Sequence, residues 1–204
     1  MSVFEKKDVN PETLAQMALK DEKVLQEALD GILSKKDVIR HNSFQTLNFL
    51  SEKHPEKLYD KWDFFANLIC NGNAFHKCIA IYIIANLTKA DAENKFEKIF
   101  DAYYGVLGDK SIIPVVHVAV NSGKIALAKP KLQAEITSRL LDIDNTVQGH
   151  KDLVKSGAIE AFDAYFEKSK DQARIIEFVK AQLNCESPKT RKMAKAFLEK
   201  WNKE

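Results

Sequence analysis

Glycine and proline are scarce in this chain: seven and five residues out of 204. The chain contains no low-complexity tract. The three cysteines, Cys70, Cys78 and Cys185, include no CxxC pair. An odd, widely spaced set excludes a closed disulfide framework and fits reduced thiols inside a cell. Long apolar runs are missing too. The longest, "CIAIYIIANL" from Cys78 to Leu87, is too short to span a bilayer, and the opening "MSVFEKKDVNPETL" has no apolar signal-peptide core. The chain is expected to be cytoplasmic, with no membrane partner. Excess charge of one sign is also lacking, since acids and bases nearly cancel at +2. That removes any chain-wide pull toward nucleic acid or an anionic surface. Only local bias remains: residues 1–30 carry a net of −3, and residues 186–204 a net of +3.

Catalytic and ligand-binding patterns are equally sparse. There is no GxGxxG and no GxxxxGK[ST], so a phosphate-cradling loop is not expected. "CNGNAFHKC" holds Cys70, His76 and Cys78 at a spacing unlike structural zinc sites, and both cysteines adjoin apolar stripes. "DIDNTVQG" opens like a calcium loop at Asp142 and Asp144. However, Val147 stands where the turn needs glycine and Leu153 where a bidentate glutamate belongs. The five histidines, His41, His54, His76, His117 and His150, sit in no nucleophile–base motif. The sequence therefore leads us to expect no catalytic residue, no metal and no cofactor.

Helical periodicity is what the chain does have. In "SKKDVIRHNSFQTLNFLSEKHPEKLYDKWDFFANLIC", Val38, Ile39, Phe44, Leu47 and Leu50 trace one face at three- and four-residue steps. After the polar elbow, Leu58, Trp62, Phe65 and Ile69 trace another, with Pro55 suited to a helix start. No segment alternates with period two, so no sheet is expected.

The hairpin then recurs. Aligned on a small residue of the first helix, the anchors are Ser43, Ala80, Ala119, Ala158 and Ala194, 36–39 residues apart. Second helices are expected to start near Pro55, Ala92, Pro130 and Asp171. Their stripes are Phe96/Phe100/Tyr103/Leu107, Leu132/Ile136/Leu140 and Ile175/Val179/Leu183. A small residue lets adjacent first helices approach to roughly 8–10 Å. A lone hairpin cannot bury both of its faces, so neighbouring hairpins must supply the core. The reading is one domain over 1–204. Capping helices fill 1–33, hairpins fill 34–70, 71–107, 108–143 and 144–184, and a final capping helix fills 185–204.

Units of this length resemble HEAT and armadillo-type α-solenoids. "DKSIIPVVHVAVNSGKIALAKPKLQAEITSRLL" is the closest stretch, with its leading acid, early proline, small residue and a glycine before "KIA". "KDVIRHNSFQTLNFL" has the acid and arginine of a HEAT first helix at Asp37 and Arg40, whereas the fourth unit has no arginine at that place. The resemblance implies an all-α, right-handed superhelix of about ten or eleven helices, whose second helices line an inner surface.

Two functions follow from that implication. One is a non-catalytic scaffold that holds a partner protein or peptide through the mixed-charge second helices, with Lys61, Phe64, Lys98, Asp101, Tyr104, Arg139 and Arg174 as candidate contacts. Phe64 and Tyr104 fall off the core stripes, so they are either exposed anchors or the edge of a wider buried stripe. The alternative is a nucleic-acid-binding protein of the HEAT-like DNA alkylation repair glycosylase type. That reading needs a basic track, yet the basic excess gathers in the last helix at Lys189, Arg191, Lys192 and Lys195.

Overall fold

The computed structural model describes residues 2–6 and 9–201. Among them the protein is all-α, with no strand. The contacts divide the chain into two compact units, Met1–Lys95 and Phe96–Glu204.

In the first unit, α1 (Pro11–Lys20) and α2 (Glu22–Gly31) precede two longer helices, α3 (Asp37–Lys53) and α5 (Ala74–Leu87), with α4 (Trp62–Asn71) between them. Side-chain caps fix several starts. Asn10 accepts the amide of Glu12 ahead of Pro11, Asp21 accepts that of Lys23, and Asn73 accepts that of His76. The helix α3 packs on α1, α2 and α5, and α5 packs on α4. A short 3-10 turn, Val3–Glu5, lies against α3 with Phe4 fully buried.

Proline does not open the second helix as expected. Pro55 starts a 3-10 turn, a second such turn covers Tyr59–Lys61, and α4 begins only at Trp62. The elbow is pinned from outside: the Tyr59 hydroxyl donates to Asp91 at 2.6 Å, and Lys95 lies over the Tyr59 ring at 4.7 Å. Burial, and then the Asp91 bond, push that phenol above its ordinary range.

The second unit runs α6 (Lys95–Gly105), α7 (Ile112–Ala128), α8 (Gln133–Leu141), the single turn α9 (Ile143–Thr146), α10 (Lys151–Tyr165), α11 (Gln172–Ala181) and α12 (Pro188–Trp201). Asn94 and His150 hold left-handed backbone at φ 54° and 51°, just before α6 and α10. As with Pro55, Pro130 starts a 3-10 turn and α8 follows at Gln133.

The anchors behave as the spacing predicts. Ser43, Ala80, Ala119, Ala158 and Ala194 are all fully buried. Around Ala119 and Ala158, α7 and α10 approach closely. A Cβ built on Gly123 would stand 3.0 Å from the Ala161 Cα, and one on Gly157 would stand 3.2 Å from the Ala119 Cβ. Glycine at these two sites lets the helix backbones nearly touch. The stripes are narrower at their ends than expected, since Val38 and Leu183 are exposed. Each sits in the first or last turn of its hairpin, where the facing layer no longer reaches.

Candidate functional site

The second helices of unit 2 carry a row of charges that the core does not use. Lys98 and Asp101 are exposed on α6, Arg139 on α8 and Arg174 on α11. Lys98 faces away from the buried Phe96 and Phe100, while Asp101, Arg139 and Arg174 flank the buried stripes of Phe100, Ile136, Leu140, Ile175 and Val179. Arg139 donates to Asp101 at 2.5 Å, tying α8 to α6, and its guanidinium lies 5.6 Å from the centre of the Phe100 ring. Arg174 is held by Asp171, one turn earlier, at 2.8 Å. Arg139 and Arg174 both line a shallow groove of about 420 Å³ with Ser138, Leu141 and Asp142. Four of the predicted contacts, Lys98, Asp101, Arg139 and Arg174, therefore share one face of this unit.

Tyr104 does not join them. It is 1% exposed, and its hydroxyl donates to Ser122 on α7 at 3.1 Å. Its ring lies 4.7 Å from Phe100 and 5.3 Å from Tyr103, in a cluster of four aromatic rings with Phe96. Burial pushes the phenol far above its ordinary range. The expectation of an exposed anchor is corrected: α6 buries two adjacent flanks, so an off-stripe tyrosine is still core.

In unit 1, Phe64 is half-buried and packs edge-on against Phe65 at 5.2 Å. Lys61 stands just before α4, with its ammonium reaching Asp60 at 2.8 Å and Glu22 on α2 at 3.6 Å. The hydrogen bond to Asp60 raises its pKa above the ordinary lysine value. Lys61 is therefore a tie between α2 and α4 as well as a surface cation.

Another cleft of unit 2, about 930 Å³, lies between the start of α10 and the α11–α12 link. Lys155 is buried there, with its ammonium 2.8 Å from Asp144 and 3.9 Å from Asp152. Asp152 also accepts the amide of Glu186 at 2.8 Å, and Arg191 donates to the carbonyls of Cys185 and Glu186. Burial, reinforced by Asp152, raises the Cys185 thiol pKa, so the thiol stays protonated and weakly nucleophilic. This cleft is a structural seam. It also resolves the missing arginine of the fourth unit: Asp152 and Lys155 sit where Asp37 and Arg40 sit in the first, and each pair forms an ion pair three residues apart. A search for arginine alone misses it.

Among the described residues, no group of three or more His, Cys, Asp or Glu side chains is placed to hold a metal ion. Asp142 is taken by Asn145 and Thr146, whose side chains donate to it in the turn before α10. His117 is partly buried in α7, and burial pulls its imidazole pKa down, favouring the neutral form. No described helix is long and apolar enough to cross a membrane. Compared with known proteins, the chain matches no family model and no curated sequence.

Proposed function

We propose that this chain is a HEAT/armadillo-type α-solenoid acting as a non-catalytic scaffold, and that it holds a protein or peptide along the exposed faces of its second helices. The observation that carries this is the charged row of Lys98, Asp101, Arg139 and Arg174 beside a shallow groove. Surface ion pairs such as Asp101–Arg139 contribute only about 0–1 kcal/mol to stability, so the fold does not require the row. It offers alternating charge over a firm aromatic and aliphatic floor, which suits a polar peptide or partner helix. The buried anchors and the 36–39-residue repeat support the solenoid assignment.

A nucleic-acid reading fits this face less well. On the second helices of unit 2 and the turn before α8, Glu97, Asp101, Glu135 and Glu177 interrupt Lys98, Lys131, Arg139, Arg174 and Lys180. Large salt slopes come from about 6–10 phosphate contacts, which need a less interrupted cationic track.

The test combines Arg139→Glu with Arg174→Glu. Both residues are exposed, so the variant should fold normally. Wild-type protein immobilised in native lysate should retain a specific partner that the double variant loses. Duplex DNA should bind weakly at physiological salt and lose that binding steeply as salt rises. Micromolar DNA affinity that survives the reversal, or release of an alkylated base from a duplex, would overturn the scaffold reading.

A further inference from the structure

The Ser2–Lys6 segment is held on α3 by side-chain contacts to its backbone and to Glu5. It enters and leaves its single 3-10 turn through extended backbone, at Ser2 (ψ 138°) and Lys6 (ψ 136°). The Asn42 side-chain amide donates to two of its carbonyls, Phe4 O and Lys6 O, each at 2.9 Å. One amide thus reads the backbone of this turn at positions two apart, without regard to side chains. The Phe4 side chain is fully buried, so it fills an aromatic socket. Next to it, Lys36 bonds Glu5 at 2.7 Å and holds that carboxyl below its ordinary pKa. Together these contacts make a complete recognition set: an aromatic pocket, a cation for the next residue, and a backbone clamp.

We propose that this set is a peptide-docking site on α3, with Ser2–Lys6 as its resident, displaceable occupant. The partner it takes is a peptide segment that forms one such turn, with an aromatic residue followed by an acidic one. The site lies on a first helix of unit 1 and does not rest on the second-helix reading.

The argument for displacement is one of scale. Apart from Phe4, the segment is held by three hydrogen bonds from two side chains, Asn42 and Lys36, and the Lys36 side chain is 71% exposed. Only four residues separate Lys6 from Pro11. A tether that short gives an effective concentration on the order of millimolar. A partner peptide must compete with that, so its apparent affinity is reduced by the fraction of protein in which the site is open.

The experiment uses the full chain and a fluorescent synthetic peptide with the sequence Ser-Val-Phe-Glu-Lys. Phe4→Ala withdraws the resident side chain, and the peptide should bind this variant at least tenfold more tightly than wild type. Adding Asn42→Ala to it should abolish the gain, as should a peptide with alanine for phenylalanine. Glu5→Lys keeps Phe4 but sets a cation against Lys36. It should open the site partially and give an intermediate affinity, which covers the case in which Phe4→Ala misfolds. In wild type, amide exchange of Phe4 and Glu5 should be at least a hundredfold faster than that of the α3 core. Equal peptide binding by all variants, or exchange at Phe4 as slow as in α3, would overturn the proposal. So would a concentration-dependent wild-type dimer that exchanges this segment, because it would assign the site to a second copy of the chain.

Discussion

Replacing Gly123 with alanine tests the central packing claim against its own control. In a helix that tolerates the change, glycine to alanine stabilises by about 0.4–1 kcal/mol, because the unfolded chain loses freedom. Gly105 is such a place: its φ is −58°, and a Cβ there meets nothing within 4 Å. Gly123 is not. Its new methyl would stand 3.0 Å from the Ala161 Cα, 3.1 Å from the Ala161 carbonyl oxygen and 3.2 Å from the Ala164 Cβ. Two of those atoms are backbone of α10, so no rotamer change relieves the contact and the helix itself must move. Overpacking of this kind costs about 1–3 kcal/mol. Subtracting the propensity gain leaves Gly123→Ala destabilised by about 1 kcal/mol. The two variants should then differ by about 2 kcal/mol, or roughly 4–8 °C for a chain of this length. Both glycines lie in the second unit, so one calorimetric transition reports on both. If Gly123→Ala melts at or above wild type while Gly105→Ala gains stability, α7 and α10 do not approach as described.

Ser43 is fully buried on α3, and its hydroxyl has no hydrogen-bond partner beside Gly31. Ser43→Ala should therefore be neutral or stabilising by up to about 1–2 kcal/mol in urea titration, whereas a loss above 1 kcal/mol would reveal a hidden partner. Tyr104→Phe should cost about 1 kcal/mol, from its bond to Ser122, and leave partner binding unchanged. A selective loss of binding in that variant would restore Tyr104 as a surface contact. The Asp163 carboxyl is pushed up by burial, but the hydrogen bonds from Lys200 and Trp201 outweigh this, and its folded pKa is lowered below 3.8. Its contribution is thus present above the ordinary aspartate range and lost as pH falls through the folded value. Trp201 fluorescence should report α12 loosening below about pH 4 in wild type. Asp163→Asn should flatten that acid limb.

The candidate site was legible in part, and the boundary has a physical cause. Arg139 and Arg174 could be placed on the surface from spacing, because a charged residue off an apolar stripe is stable where water reaches it. Tyr104 could not. A phenol is compatible with core and surface alike, and the outcome depended on Ser122, a residue of the next helix that offers it a buried partner. Lys155 was invisible for a related reason: a buried ammonium is tolerable only where carboxylates converge, and Asp144 and Asp152 meet it from two different helices.

By itself the sequence determined the all-α class of the structure. Helical period, the 36–39-residue recurrence and the small anchors are local or near-local properties, and the five anchors it marked are all buried. The tertiary structure alone decided which flank of each helix a neighbour covers, where Pro55 and Pro130 yield 3-10 turns instead of helix starts, and that Phe4 folds back onto α3. Those outcomes turn on contacts between residues far apart in the chain, such as Asn42 with the Phe4 carbonyl or Tyr59 with Asp91. Periodicity records which side of a helix is apolar. It carries no record of the distance at which a partner arrives or of the polar groups that partner brings.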